Sequence, residues 1–240
     1  MTILGIETST TVCSAAVCKD GQPIRQCIYR EGANHARLLP LFIEELIAFA
    51  HEQQLVFDAV ALSEGPGSYT GLRIGTATAK GLCYGWNIPL IPVSTLSILC
   101  DAAKEKLSET SAAMSNCVLV PMMDARRMEV YAKVVKGDVE LKATSAVIVE
   151  NEDSLYVGTH PAGIGGEEVF YFGDGATKCQ NVFTKPNWHF IPDIVPEARF
   201  LAGHVETILD FAPGLVDIAY YEPYYLKEFV AAPSHVKGLN

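Results

Sequence analysis

Long apolar runs and cysteine pairs are both missing from this 240-residue sequence. No stretch approaches the ~20 uninterrupted apolar residues of a membrane-spanning helix, and no basic segment opens the chain as it would in a secretory signal. The seven cysteines form no C-x-x-C pair, so we expect buried thiols in a reducing compartment rather than disulfides. The six histidines show no H-E-x-x-H pattern, and no metal site is predicted. We expect a cytoplasmic protein that does not contact the membrane.

Clusters of basic residues are equally scarce. The net charge is −10, and the longest cationic run is Arg126-Arg127. A protein that binds nucleic acid by itself normally carries a basic stripe that neutralises phosphates. We therefore predict that any contact with nucleic acid runs through a partner. With 49% hydrophobic and 19% charged residues, the chain is predicted to be globular rather than disordered.

Apolar runs separated by turn residues predict a regular alternation of strands and helices. Three strands joined by tight turns come first, and helices then alternate with strands. Asn34 is the candidate N-cap of the first helix, and Pro40 lies close enough to its first turn to be tolerated. The predicted strands are 3–7, 12–17, 24–29, 58–63 and 89–93, and the predicted helices are 36–52, 71–85 and 95–107.

A polar stretch at 108–116 is predicted to link this unit to a second one. The order of the first unit matches the ribonuclease-H-like unit of the actin and sugar-kinase superfamily. We predict an α/β fold of two such lobes, 1–107 and 117–240, with mixed sheets flanked by helices and with the second lobe smaller or degenerate. The elements predicted for the second lobe are a hairpin at 117–123 and 128–135, strands near 143–149 and 169–172, a surface loop at 151–168 and an amphipathic helix at 196–211.

Two segments carry residues of the kind that surround a phosphate group. Glu7 to Ser9 follows the first strand, where an acid and hydroxyls can either surround a phosphate or form an ordinary polar turn. Gly65 to Gly75 precedes the second helix, and glycines there can bring N–H groups close to an anion. The spacing fits neither the dinucleotide fingerprint nor the P-loop. We interpret the region as a degenerate phosphate loop with the residues Glu7, Thr8, Ser9, Gly65, Gly67, Thr70 and Arg73.

The same segments carry a family resemblance. Leu4 to Ser9, Gly65 to Gly75, Pro121 to Tyr131 and Pro223 to Lys227 are similar to the TsaB (YeaZ) family, and so are residues 33–47. The resemblance implies a paralogue of TsaD, which transfers the threonylcarbamoyl group to the adenosine beside the anticodon in tRNAs that read codons beginning with A.

The comparison with TsaD bears on catalysis. TsaD carries Cys-Asp-Glu-Thr after its Glu-Thr-Ser, whereas this chain has Thr10 to Cys13, so both acids are missing. The His-x-x-x-His metal ligands of TsaD correspond here to Thr95 and Leu99. Leucine offers no lone pair, and threonine is a poor ligand for iron or zinc. The resemblance therefore implies an inactive paralogue with no catalytic residue, no cofactor and no bound metal.

The first predicted helix is apolar over a wider surface than one core requires. Its apolar residues cover about 240° at 100° per residue, against the roughly 100° stripe of a helix packed on one side. The second helix carries a row of small residues, which favours close packing of another helix because each mid-helix glycine costs about 0.5–1 kcal/mol. We predict a helix pair that a partner covers, although a fully buried core helix would give the same pattern. The predicted interface residues are Leu39, Phe42, Ile43, Leu46, Ile47, Gly71, Gly75 and Ala79.

The resemblance implies a scaffold subunit whose first lobe docks on the matching lobe of TsaD and holds TsaD active. It also implies a weak homodimer through the same surface, assembly with the ATPase TsaE, and contact with tRNA only through partners. On this interpretation, Ile43 faces water in the isolated chain. The alternative is an enzyme, either an ATP-dependent kinase or a glycoprotease-like peptidase. A kinase would need a second phosphate loop, for which Gly173 to Gly175 is the candidate, and a peptidase would need a base near Ser68 or Thr70.

Overall fold

A computed structural model describes residues 1–32, 34–108, 117–156, 166–211 and 216–226. The first part of the chain forms a five-stranded sheet of order β3-β2-β1-β4-β5. β1 pairs antiparallel with β2 and parallel with β4, so the sheet is mixed. Every residue of β1 is buried, because helices and loops cover both of its faces. The strands are β1 Thr2–Glu7, β2 Cys13–Lys19, β3 Gln22–Tyr29, β4 Ala59–Gly65 and β5 Leu90–Ser94.

Three helices flank this sheet, as the periodicity predicts: α1 His35–Glu52, α2 Tyr69–Trp86 and α3 Thr95–Ser108. Asn34 stands at the N-cap position of α1 but makes no side-chain cap hydrogen bond. Ser68 does cap α2, since its side chain accepts from the Gly71 N–H. α1 and α2 pack on the face of the sheet that carries Leu4 and Ile6.

The second sheet repeats the topology of the first. Its order, β10-β9-β6-β7-β8, has the same pattern of antiparallel and parallel pairs along the chain as the first sheet. The predicted hairpin is confirmed, and β10 was not predicted because a four-residue strand carries little periodic signal. Two ribonuclease-H-like lobes of mixed sheet and helix are therefore present. The strands are β6 Val118–Asp124, β7 Glu129–Lys136, β8 Val139–Ile148, β9 Val169–Phe172 and β10 Trp188–Ile191.

The predicted helix 196–211 is wrong at its start. Glu197 is extended, a 3-10 turn covers Ala198–Phe200, and helix α4 runs over Ala202–Phe211. Ser14 Oγ accepts a hydrogen bond from the Ala198 N–H at 2.9 Å, which ties this turn to β2. This bond and the side-chain bonds of Glu197 hold the chain here in a non-helical conformation. A continuous helix from residue 196 would break these bonds.

The 3-10 turn at Ala198–Phe200 and the start of α4 pack against the first sheet. Leu201 and Val205 join the same buried cluster as Ile3 and Ile91, and a Cβ at Gly5 would stand 2.7 Å from the Ala198 carbonyl oxygen. The boundary between lobes 1–107 and 117–240 stays a prediction, but these contacts show that residues between Ala198 and Val205 cover the first sheet.

Some predicted segments lie outside the described residues. Most of the linker 108–116 does, and so does 157–165 of the loop 151–168, which begins with a 3-10 turn at Glu152–Leu155. Within the described part of the chain, no helix has the length and apolar character that crossing a membrane requires.

Candidate functional site

A cleft of about 590 Å³ opens where the two sheets meet. One wall consists of residues 9–11 and the turn 66–70 at the start of α2, and the other consists of residues 123–126 with Tyr131 and Asp174. Tyr224, Tyr225 and Leu226 close one side. The cleft is the place where the predicted degenerate phosphate loop meets the second lobe.

Glu7 is part of the protein interior rather than of the cleft wall. The side chain is fully buried, and its Oε1 accepts from the Ser9 N–H at 2.5 Å. Burial raises the pKa of the carboxyl, and hydrogen bonds from Ser63 and Ser9 oppose this rise only in part. Oε2 has no hydrogen-bond partner among the described residues. An acid in this position is poorly placed to hold a solvated cation in the cleft.

The glycines of α2 allow the helix to approach the end of β1. A Cβ at Gly71 would stand 2.0 Å from the Thr8 carbonyl oxygen, and one at Gly75 would stand 2.3 Å from Thr8 Oγ1. The Thr8 hydroxyl also donates to the Gly71 carbonyl at 2.8 Å. The small residues Gly71 and Gly75 therefore pack on the turn that follows β1.

The other loop residues have different roles. Gly65 has φ of 116°, and a Cβ there would stand 2.8 Å from the Tyr224 carbonyl oxygen. Gly67 packs against the backbone of Ser9, where a Cβ would stand 2.5 Å from the carbonyl oxygen. Thr70 lies in the cleft wall, and Arg73 donates to the Tyr69 hydroxyl at 2.9 Å. The two loops thus meet, and glycine allows close packing at both positions.

The opposite wall is an ordered turn between β6 and β7. Asp174 Oδ1 accepts from the Asp124 N–H at 2.9 Å, and Lys178 pairs with the Asp124 carboxylate. Burial is the main cause that raises the pKa of Asp174. Gly173 to Gly175, the candidate second phosphate loop, is the turn between β9 and a 3-10 helix at Thr177–Cys179.

Aromatic residues of the cleft did not enter the sequence prediction. The Tyr69 and Tyr225 rings lie 5.1 Å apart, and the Tyr224 N–H donates to the Glu64 carbonyl at 2.8 Å. The segment Pro223 to Lys227 carries part of the family resemblance, but nothing in the local sequence indicates that Tyr225 lies beside Tyr69 of α2.

The predicted interface residues divide into two groups. The side chains of Leu39, Ile43, Leu46 and Ala79 belong to the buried cluster of the first lobe, and Gly71 and Gly75 are buried against Thr8. The expectation that Ile43 faces water in the isolated chain is wrong, because Ile43 is only 6% exposed. Phe42 is partly buried, and Ile47 is 37% exposed. Whether any of the eight contacts a partner stays a prediction.

The positions that correspond to metal ligands in TsaD point into the interior. Thr95 is buried, and its hydroxyl shares a 2.7 Å hydrogen bond with Ser63. Leu99 is buried in the cluster between α3 and the second sheet. Neither side chain offers a free ligand atom to the cleft.

Comparisons with known proteins agree with this architecture. A family model described as TsaD, tRNA N6-adenosine threonylcarbamoyltransferase, matches residues 31–219. The TsaB protein of Haemophilus influenzae is 34% identical over 140 residues, which cover 58% of this chain and 56% of that protein. The TsaB protein of Escherichia coli is 26% identical over 244 residues, with 96% of each chain covered.

The fold likeness extends to a solved structure. A Pseudomonas aeruginosa protein described as similar to the peptidase YeaZ superposes with a TM-score of 0.74 at 23% identity, covering 94% of this chain and 99% of that one. Matches to both TsaB proteins and the TsaD family model fit a paralogue of TsaD. The chain belongs to the TsaB (YeaZ) family, whose curated members are named tRNA threonylcarbamoyladenosine biosynthesis proteins.

Proposed function

We propose that this chain is a cytoplasmic, non-catalytic subunit in tRNA threonylcarbamoyladenosine biosynthesis that binds TsaD and holds it in an active form. The names of its relatives support the pathway. The buried side chains of Glu7, Thr95 and Leu99 support the absence of catalysis, because none of them presents a reactive group to the cleft. TsaE and tRNA would meet this subunit through the complex with TsaD.

One observation carries the docking proposal: α1 and α2 present apolar and small side chains to solvent. Leu41 is 54% exposed and Tyr84 is 82% exposed, and α1 and α2 contact each other. A Cβ at Gly81 would meet no atom within 4 Å. Small residues on an exposed helix allow a partner helix to approach closely. We name this surface the α1–α2 face, and its residues are Leu41, Ile47, Ala77, Gly81 and Tyr84.

The proposed α1–α2 face differs from the predicted interface, because it consists of exposed residues. The buried residues Leu39, Ile43 and Leu46 hold α1 on the sheet, whereas the outward side of the same helices is available for docking. Aromatic side chains such as Tyr84 are enriched among the residues that contribute most to binding. A second copy of the chain could use the same face, which would give the weak homodimer.

The test is binding of TsaD from the same organism to a Gly81→Leu variant, measured by calorimetry. Leucine has the higher helix propensity, so the isolated variant should melt no lower than the parent. The new side chain fills the space of a packed helix, and we expect affinity to fall at least about tenfold, which is roughly 1.4 kcal/mol.

The matched control is Gly203→Leu, because Gly203 is an exposed glycine of α4 with no atom within 4 Å of its built Cβ. The control should bind TsaD as the parent does. Equal binding by both variants would place the interface elsewhere, and no binding by the parent would reject the proposed function.

A further inference from the structure

The turn between β6 and β7 holds two arginines in a backbone conformation that favours glycine. Arg126 has φ of 71° and Arg127 has φ of 48°. Asparagine or glycine adopts this left-handed region at lower cost. Strained residues persist when the surrounding structure fixes them, and they cluster at functional sites.

The turn is fixed on several sides. The Glu129 N–H donates to the Arg126 carbonyl, and the Ala125 N–H donates to the Glu129 carbonyl, both at 3.1 Å. Asp124 Oδ1 accepts from the Arg126 N–H at 3.2 Å. Lys178 Nζ bonds the Glu129 carbonyl at 2.6 Å. The backbone at both arginines is therefore fixed before any ligand arrives.

Both arginines are exposed, and across the described residues neither guanidinium makes an ion pair or hydrogen bond. By contrast, Arg25, Arg30 and Arg199 each pair with a glutamate. The chain carries a net charge of −10. Two neighbouring arginines without an acidic partner therefore form a small positively charged patch on an acidic molecule.

The surroundings of the turn favour a protein ligand over a phosphate. Met128 is 37% exposed, and Ile148, which lies opposite Glu129 across the β7–β8 pair, is 67% exposed. Arginine and methionine beside apolar residues are enriched at protein interfaces.

We propose that this turn, Arg126 to Met128 with Ile148, is a docking point for an acidic segment of a protein partner. Each guanidinium would donate two hydrogen bonds to one carboxylate in a bidentate pair, and Met128 and Ile148 would contact an apolar residue between the acids. The surface lies on the second lobe, separate from the α1–α2 face.

The probe is a short fluorescein-labelled peptide of repeated Asp-Glu-Leu units, followed by anisotropy with the full chain. A double variant, Arg126→Gly with Arg127→Gly, removes both side chains and relieves the left-handed strain, so its melting temperature should equal or exceed that of the parent. We expect the variant to bind at least roughly tenfold more weakly. Binding to the parent should weaken between about 50 mM and about 300 mM salt.

The matched controls are Lys19→Gln, which removes one exposed positive charge far from the turn, and a peptide of Asn-Gln-Leu units. The first should bind as the parent does, and the second should not bind. Equal affinity of the parent and the glycine variant, or no saturable binding by the parent, would overturn the proposal. Inorganic phosphate or bulk tRNA binding more tightly than the peptide, with loss in the glycine variant, would also overturn it by assigning the turn to phosphate.

Discussion

Gly71 lies directly against the backbone of Thr8, where a Cβ atom at position 71 would stand 2.0 Å from the carbonyl oxygen. A side chain of any size must therefore push α2 away from the end of β1. This contact sets the height of α2 over the sheet, and with it the position of the α2 N-terminus in the cleft wall.

We predict that Gly71→Ala lowers the free energy of unfolding by about 3 kcal/mol or more, because a backbone carbonyl cannot rotate away as a side chain can. The measurement is urea unfolding. Gly81→Ala on the same helix is the control, and it should raise stability by about 0.5–1 kcal/mol because its Cβ meets open space. A loss of the same size at both positions would contradict the proposed contact.

Substitutions at Ile43 and Ile47 of α1 test folding and docking separately. Ile43→Glu should unfold the chain or destabilise it by several kcal/mol, since it would bury an unpaired carboxylate. Ile47→Glu should melt near the parent temperature, because Ile47 is 37% exposed, and it should lose TsaD binding. Thermal melting and a pull-down on the same samples test both. A folded Ile43→Glu variant would show that the described packing of α1 is wrong.

The buried Glu7 carboxyl makes the free energy of unfolding decrease as the pH rises. Its folded pKa is raised above the ordinary value of 4.5, so between the two values the folded state binds more protons than the unfolded state. Stability therefore falls as pH rises from about 4.5 through the folded pKa, and the full loss is present above that pKa.

Glu7→Gln should remove this loss, since the amide oxygen can still accept from the Ser9 N–H. We expect the variant to be at least as stable as the parent at pH 8, with the difference shrinking towards pH 4. Denaturant unfolding at a series of pH values measures the difference. A variant less stable than the parent at every pH would show that Glu7 is charged and paired in the folded state.

The cleft should bind ATP with magnesium only weakly. Tyr224 and Ser9 fill the space beside Gly65 and Gly67, and the Glu7 carboxyl is buried. Calorimetry with the isolated chain should give no affinity in the micromolar range. A micromolar dissociation constant with a stoichiometry near one would support the kinase alternative instead.

The sequence predicts most of the fold because its signals are local. The period of α1 and the apolar runs of β1 and β4 each follow from residues a few positions apart. β10 was missed because four residues carry little pattern. The prediction of two ribonuclease-H-like lobes is confirmed, since both sheets have the same pairing order.

The candidate site was predicted only in part. Glu7 to Ser9 and Gly65 to Gly75 do meet at the cleft, as expected for loops at the ends of neighbouring strands. Their chemistry differs from the prediction because burial, which no local pattern reports, places Glu7 in the interior. The partners of the glycines, Thr8 and Tyr224, could not be inferred from spacing alone.

The sequence by itself determined most of the elements and their order, because these depend on residue type and local period. Only the tertiary structure decided which side of α1 is free. The wide apolar arc of that helix predicts a partner, and the structure divides the arc: Leu39, Ile43 and Leu46 are buried, whereas Leu41 and Ile47 are exposed. The surface of a helix is covered by whatever folds back on it, and contacts between distant residues leave no trace in the sequence around the helix.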